Sequence, residues 1–318
     1  MRIVVIGAGG IGGFIAAALA RSGAEVAVLA RGTHAEAIAR SGLRVRGDLG
    51  NYCIPLRVIT SEEELDAFDC ALLCVKAHQL SGLHGGLQRL ARAGACVATL
   101  QNGVPFWFVR RPPLESADPG GLLGSLFSDE RTIGGVVHVS GHIERPGSIV
   151  QSGGLRYVLA PVAEGGAADE ACTELVALME RAGLAPERSS DLRGVLWAKL
   201  ANNVGLNAVS ALTRLSIAPM LSYEPTRELV ARLIGETLAV GRALGVVGEI
   251  DVERRLQYAA RLSDVRTSML QDVEAERAME IDPIVGATVE LGERVSVPTP
   301  TVATILGLLR GLQASFGR

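Results

Sequence analysis

A β-branched run ending in Gly7-x-Gly9-x-x-Gly12, a second such run ending in Arg31, and a change from strand to helix periodicity near residue 166 predict an α/β chain. The predicted architecture is an N-terminal Rossmann-type dinucleotide-binding domain over 1–165 and an all-helical C-terminal domain over 166–318.

Residues 2–6, Arg-Ile-Val-Val-Ile, read as a short buried strand. The strand stops at Gly7, and the glycine fingerprint then opens an Ala-rich segment, 11–21, of high helical propensity. In that context Gly7 permits the tight turn and Gly9 lets the backbone approach a pyrophosphate. Gly12 lets the helix pack closely on the strand, and the phosphate sits at the helix N-terminus. Gly7, Gly9, Gly10, Ile11 and Gly12 are therefore the candidate phosphate-loop contacts.

The second strand covers 25–30, and the residue just past it selects the cofactor. An Asp or Glu there would bind the ribose hydroxyls of NAD. Arg31 stands there instead, followed by Gly-Thr-His. A guanidinium suits the 2′-phosphate of NADP, so NADP(H) is the expected cofactor.

The apolar runs 69–75 and 95–100 read as further parallel strands. Each ends in a polar cluster, Lys76-Ala-His78-Gln79 and Gln101-Asn102-Gly103. Ligands of an open parallel sheet lie beyond the carboxyl ends of its strands. Lys76 is thus a candidate for a cofactor phosphate, and Asn102 for the nicotinamide ribose or the substrate. Three strands follow over 132–139, 142–151 and 155–160, with Gly141 and Gly153-Gly154 as turns, forming an antiparallel extension. Residues 105–129, with Phe106-Trp107-Phe108 and Arg110-Arg111-Pro112-Pro113, read as a long loop or short helix near the crevice, either a lid or a packing insertion.

Helices are expected over 170–182, 191–213, 224–244, 251–262, 267–292 and 300–316, covering the open side of the crevice. The 191–213 helix carries Lys199, Asn203 and Asn207 at i, i+4 and i+8, a polar stripe on a largely apolar helix. Buried polar groups need partners. A stripe of three suits a small polar substrate better than it suits capping. A lysine fits carbonyl reduction, because its ammonium can stabilise the charge left on oxygen by hydride attack and then donate the proton. Ser268 and Glu280 lie about 18 Å apart on a straight helix. For both to reach one small substrate, the helix must break near 275–279.

Composition sets limits. The 318 residues suffice for two cored domains, and a net charge of −3 gives no basic field for nucleic acid. No apolar run is long enough for a membrane span, and no signal peptide is expected, so the expected compartment is the cytoplasm. The five cysteines and five histidines show no ligand spacing, and no metal is assigned.

Taken together, Gly7 to Gly12, Arg31, Lys76, Gln101-Asn102-Gly103, Lys199 with Asn203 and Asn207, Ser268-Met-Leu-Gln-Asp and Glu280-Ile-Asp282 resemble the ketopantoate reductase (2-dehydropantoate 2-reductase) family nearly end to end. The resemblance implies Lys199 as general acid and Glu280 in substrate binding and catalysis. It implies Asn102, Asn203, Asn207 and Ser268 as ketoacid ligands, and Arg31 and Lys76 as NADP phosphate ligands. The implied reaction is NADPH-dependent reduction of ketopantoate to pantoate, a step toward pantothenate and coenzyme A. A small 2-ketoacid is then the partner, and a homodimer is compatible with the chain. The chain departs from the family pattern where Ile284-Val285-Gly286 replaces Ile-Asn-Gly, and again in the aromatic, arginine-bearing 106–111 stretch. Both departures suit a different 2-ketoacid. A non-catalytic NADPH sensor is the other class of reading, but a sensor has no use for a proton donor.

Overall fold

The computed structural model describes residues 1–261 and 265–317. The chain divides into two compact units, Met1–Gln101 with Gly121–Leu192, and Asn102–Gly120 with Arg193–Arg318.

The first unit is α/β. Its elements are β1 (Ile3–Ile6), α1 (Gly10–Arg21), β2 (Val26–Leu29), α2 (Gly32–Ser41), β3 (Leu43–Gly47), β4 (Gly50–Ile54), β5 (Arg57–Ile59) and β6 (Cys70–Leu73). There follow α3 (His84–Arg92), β7 (Cys96–Thr99), α4 (Leu122–Leu126), β8 (Thr132–Arg145), β9 (Ser148–Pro161), α5 (Ala167–Arg181) and β10 (Ala185–Arg188). The described residues form one ten-stranded sheet in the order β4-β3-β9-β8-β7-β6-β1-β2-β5, with β10 alongside β9.

β1, β6 and β7 are buried along their whole length, as strands covered on both faces must be. Ile6 pairs with both Leu29 and Leu73, and Leu73 with Thr99, all in parallel. The four strands therefore end level, and the loops after them share one edge. That register brings the glycine loop, Arg31, Lys76 and Gln101 to the same end of the sheet. Gln101 ties two of these loops together by donating from Nε2 to the Val75 carbonyl at 2.6 Å.

The three strands expected over 132–160 are two strands of 14 residues, antiparallel to each other. Gly141 lies inside β8 because the backbone of Gly10 approaches it there. A methyl at Gly10 would overlap the Gly141 carbonyl. Gly153 and Gly154 fall where the register shifts between His138 and Ser140, and so form a bulge rather than a turn. The short strands β3, β4, β5 and β10 have no counterpart in the sequence reading.

The segments 1–165 and 166–318 are not the units the structure forms. β10 pairs with β9 and α5 packs on both, so the chain to Leu192 stays with the sheet. Residues 102–120 pack with the helices instead.

The second unit is helical. It comprises α6 (Leu192–Asn202), a π turn (Asn203–Asn207), α7 (Ala208–Thr213), α8 (Ile217–Ser222), α9 (Glu224–Ala243), α10 (Val252–Ala260) and α11 (Ser268–Glu274). A second π turn (Asp282–Gly286), α12 (Ala287–Arg294) and α13 (Pro300–Gln313) complete it. The expected break near 275–279 is present: α11 ends at Glu274, Glu276 has φ 49°, and 277–280 are not helical. The expected end of the 251–262 helix, Leu262, lies outside the described residues.

The 102–120 stretch is a packing segment. Phe106, Trp107 and Phe108 are buried, and Phe108 stacks on Trp197 with ring centroids 5.5 Å apart. Trp197 donates from Nε1 to the Thr237 carbonyl at 2.9 Å. The Arg294 guanidinium donates to the carbonyls of Pro112 and Pro113 at 2.7 and 2.6 Å. The Glu290 carboxylate accepts from the amides of Glu115 and Ser116 and from the Ser116 hydroxyl. Among the described residues, no helix is long and apolar enough to cross a membrane.

Candidate active site

In the α/β unit, Gly9 is the N-cap of α1 and no side chain caps that end. The first-turn amides of a helix have no acceptor within it. A methyl at Gly9 would meet nothing within 4 Å, so this end of the helix is open on the side the loop presents. Gly12, by contrast, is pressed against the strand edge, where an added Cβ would lie 2.7 Å from that of Cys74. A bare helix N-terminus with room beside it fits the diphosphate of a dinucleotide.

His34, which no motif marked, holds this loop. Its Nε2 donates to the Ala8 carbonyl at 2.9 Å, and its Nδ1 accepts from the Gly147 amide at 3.1 Å. Only a neutral imidazole can do both. Burial lowers its pKa and keeps it neutral. The ring thus pins the glycine loop to the β8–β9 turn.

Arg31 is the N-cap residue of α2, with its side chain largely exposed. It does not stand alone. Its guanidinium donates to Glu62 at 2.8 Å, an acid whose place beside it has no local sequence signal. Lys76 precedes the short 3-10 turn Ala77–Gln79, and its amide donates to Gln79 Oε1 at 3.0 Å.

In the helical unit, three of the expected residues meet. Lys199 Nζ donates to Asn102 Oδ1 at 2.9 Å, and Asn102 Nδ2 donates to Glu280 at 3.2 Å. The asparagine amide thus bridges ammonium and carboxylate, which fixes which way it faces. Burial pushes the Lys199 ammonium down from 10.5 to about 8, against the upward pull of Glu280. The group therefore loses its proton at a lower pH than a free lysine does.

Gly103 sets Asn102 in place. Its φ is +89°, and the next amide, of Val104, donates to the Pro283 carbonyl at 2.7 Å. A Cβ at Gly103 would lie 2.5 Å from that carbonyl oxygen. Pro283 belongs to the second π turn, three residues beyond Glu280. One backbone contact therefore registers Asn102 against the segment that carries Glu280.

The segment carrying Lys199, Asn203 and Asn207 is not one regular helix. Residues four apart on an α-helix drift by about 40° per step, so Asn207 would stand about 80° from Lys199. The π turn at Asn203–Asn207 winds more slowly and reduces that drift. It packs on α9, α11 and the second π turn. Asn207 is 8 % exposed. Among the described residues, neither Asn203 nor Asn207 has a side-chain hydrogen bond to protein. Ser268 is exposed at the start of α11, behind the capping Thr267, and no hydrogen bond joins it to the Lys199 cluster. No group of three or more His, Cys, Asp or Glu among the described residues could hold a metal.

Known proteins match this chain over both units. The ketopantoate reductase PanE/ApbA profile matches residues 3–164, and the profile of its C-terminal part, ketopantoate reductase PanE/ApbA C terminal, matches 191–313. The chain is 38% identical to the 2-dehydropantoate 2-reductase of Mesorhizobium japonicum, over 100% of this chain and 99% of that one. The crystal structure of a PanE/ApbA family ketopantoate reductase from Ralstonia eutropha JMP134 superposes with a TM-score of 0.85 at 27% identity, covering 100% of both chains. A D-mandelate dehydrogenase structure with NADH and anilino(oxo)acetate shares the fold at a TM-score of 0.85, at 21% identity and over 99% of each chain. A helix-capping glycine loop in one unit and an enclosed lysine in the other, with profile matches across both, make this chain an oxidoreductase of the ketopantoate reductase family.

Proposed function

We propose that the protein reduces 2-dehydropantoate to pantoate with NADPH, the reaction that would serve pantothenate and coenzyme A formation. The observation that carries this reading is the Lys199–Asn102–Glu280 bridge with its low-pKa ammonium. A bound nicotinamide supplies the hydride. Lys199 is the general acid: its Nζ polarises the ketone oxygen and donates the proton to the alkoxide. Asn102 holds the ammonium at a fixed angle, and Glu280 favours its charged form. Asn203 and Asn207, with Ser268, are the proposed ligands of the ketoacid's polar groups. Gly7, Gly9, Gly10, Ile11 and Gly12 would hold the diphosphate, with Arg31 and Lys76 toward the remaining phosphate.

A second reading within the same chemistry is a different 2-ketoacid. It rests on Val285, fully buried where the family commonly has an asparagine, and on the aromatic packing segment beside α12. Steady-state kinetics with 2-dehydropantoate, 2-ketoisovalerate and aromatic 2-ketoacids test both. 2-Dehydropantoate should have the highest kcat/KM. A higher value for an aromatic ketoacid overturns the substrate assignment, and no turnover with any ketoacid overturns the reaction class.

A further inference from the structure

β5 runs parallel to β2, with Ile59 opposite Leu29, so the two strands end level at the sheet edge. Arg31 follows β2 by two residues and Glu62 follows β5 by three. The topology therefore brings an acid to the place where the chain after β2 offers a base. The contact is built from both sides. Glu62 Oε1 accepts from the Arg31 guanidinium at 2.8 Å, and its Oε2 accepts from the Gly86 amide at 2.7 Å. A Cβ at Gly86 would lie 3.0 Å from Cβ and Cγ of Glu62, so a glycine is what admits the acid to that amide. The Arg31 side chain is 63% exposed and that of Glu62 only 26%. The carboxylate is the anchored partner and the guanidinium the exposed one.

We propose that Glu62 sets the cofactor choice. In a dinucleotide site an acid at the end of the second strand accepts the adenosine ribose 2′-hydroxyl and repels a 2′-phosphate, and here Glu62 reaches that place from β5. A guanidinium there grips the phosphate instead. This chain holds both, already paired. A 2′-phosphate must share Arg31 with a carboxylate that stays beside it, while a 2′-hydroxyl finds an acceptor in place. NADPH is still preferred, by a narrow margin, and NADH is a working cofactor. The inference rests on the NAD(P)H-dependent reading above and names the residue that divides the two cofactors.

Glu62→Gln tests it, since glutamine keeps the length and an acceptor oxygen for the Gly86 amide but removes the charge. The readout is direct titration of the purified full-length protein with NADPH and with NADH, followed by nicotinamide fluorescence. We expect NADPH to bind about tenfold tighter and NADH severalfold more weakly, the size of one charge-assisted contact. Arg31→Gln should do the reverse, weakening NADPH at least about tenfold while leaving NADH nearly unchanged. It does not disturb the Gly86 contact, so it also serves if Glu62→Gln fails to fold. An NADPH-to-NADH affinity ratio within about twofold of wild type in a folded Glu62→Gln protein, well below the energy of such a contact, overturns the proposal and leaves Glu62 as an anchor for α3. Equal losses of both cofactors in Arg31→Gln overturn it too. A wild-type protein that binds neither nicotinamide overturns the functional reading itself, a separate outcome.

Discussion

The enclosed lysine predicts where the reaction stops. At its ordinary value of 10.5, Lys199 would stay charged across any practical assay range; at about 8 it does not. The gap corresponds to about 3 kcal/mol in favour of the neutral form, set by lost hydration and partly offset by Glu280. A general acid acts in its protonated form, so in the proposed role activity should be high below the pKa and fall as pH rises through it. Roughly nine-tenths of the lysine is protonated at pH 7 and about one-tenth at pH 9, a loss of about tenfold in rate. The assay is kcat for ketoacid reduction at saturating cofactor, across pH 6 to 10, with stability checked at each pH. Glu280→Gln removes the carboxylate that draws the pKa up, so the alkaline limb should move to lower pH. Lys199→Ala should abolish the limb and lower kcat by about 10²–10⁴-fold while cofactor still binds. A wild-type limb near the ordinary lysine value, or a Lys199→Ala kcat within about threefold of wild type, refutes the proton-donor role.

Three further outcomes follow from the geometry. Gly103→Ala places a methyl against the Pro283 carbonyl at positive φ, and should cost about 1–3 kcal/mol of stability with a fall in kcat/KM, measured by denaturant unfolding and kinetics. Asn207→Ala should raise KM for the ketoacid and leave the NADPH dissociation constant unchanged; a change confined to stability would assign the residue to packing. Gly12→Ala drives a methyl into the Gly7 carbonyl and against Cys74, and should weaken NADPH binding by at least about tenfold, the equivalent of roughly 1.4 kcal/mol, with the helical content of the protein retained by circular dichroism.

Local pattern made much of this molecule legible. The glycine fingerprint and four apolar strands could be read because a parallel sheet covered on both faces demands continuous apolar runs. Lys199 stood out because a lysine on a largely apolar helix needs a partner, and the structure gives it Asn102, which in turn meets Glu280. The break after Glu274 was a reach argument, and the positive φ at Glu276 is how the chain achieves it. What escaped is non-local. Nothing near Glu62 says that β5 will deliver it to Arg31, and nothing near His34 says that Gly147 will meet it. The slow winding at Asn203–Asn207 is set by packing on α9 and α11, to which helix propensity is blind. Gly141 and Gly153-Gly154 misled because glycine marks close approach and bulges as readily as turns.

The passage of the chain between the units has a consequence for taking the protein apart. It crosses after Gln101, after Gly120 and after Leu192, so the helical unit is assembled from two separated stretches of sequence. The helices from Arg193 onward carry the lysine and the glutamate, but the amide that links them arrives from a segment ninety residues upstream. A fragment cut at the start of α6 would keep Lys199 and lose the Asn102 oxygen that accepts from it, along with the aromatic ring that stacks on Trp197. The lysine–asparagine–glutamate cluster is therefore not a detachable module, and a graft of the C-terminal helices alone onto another scaffold would not carry it whole.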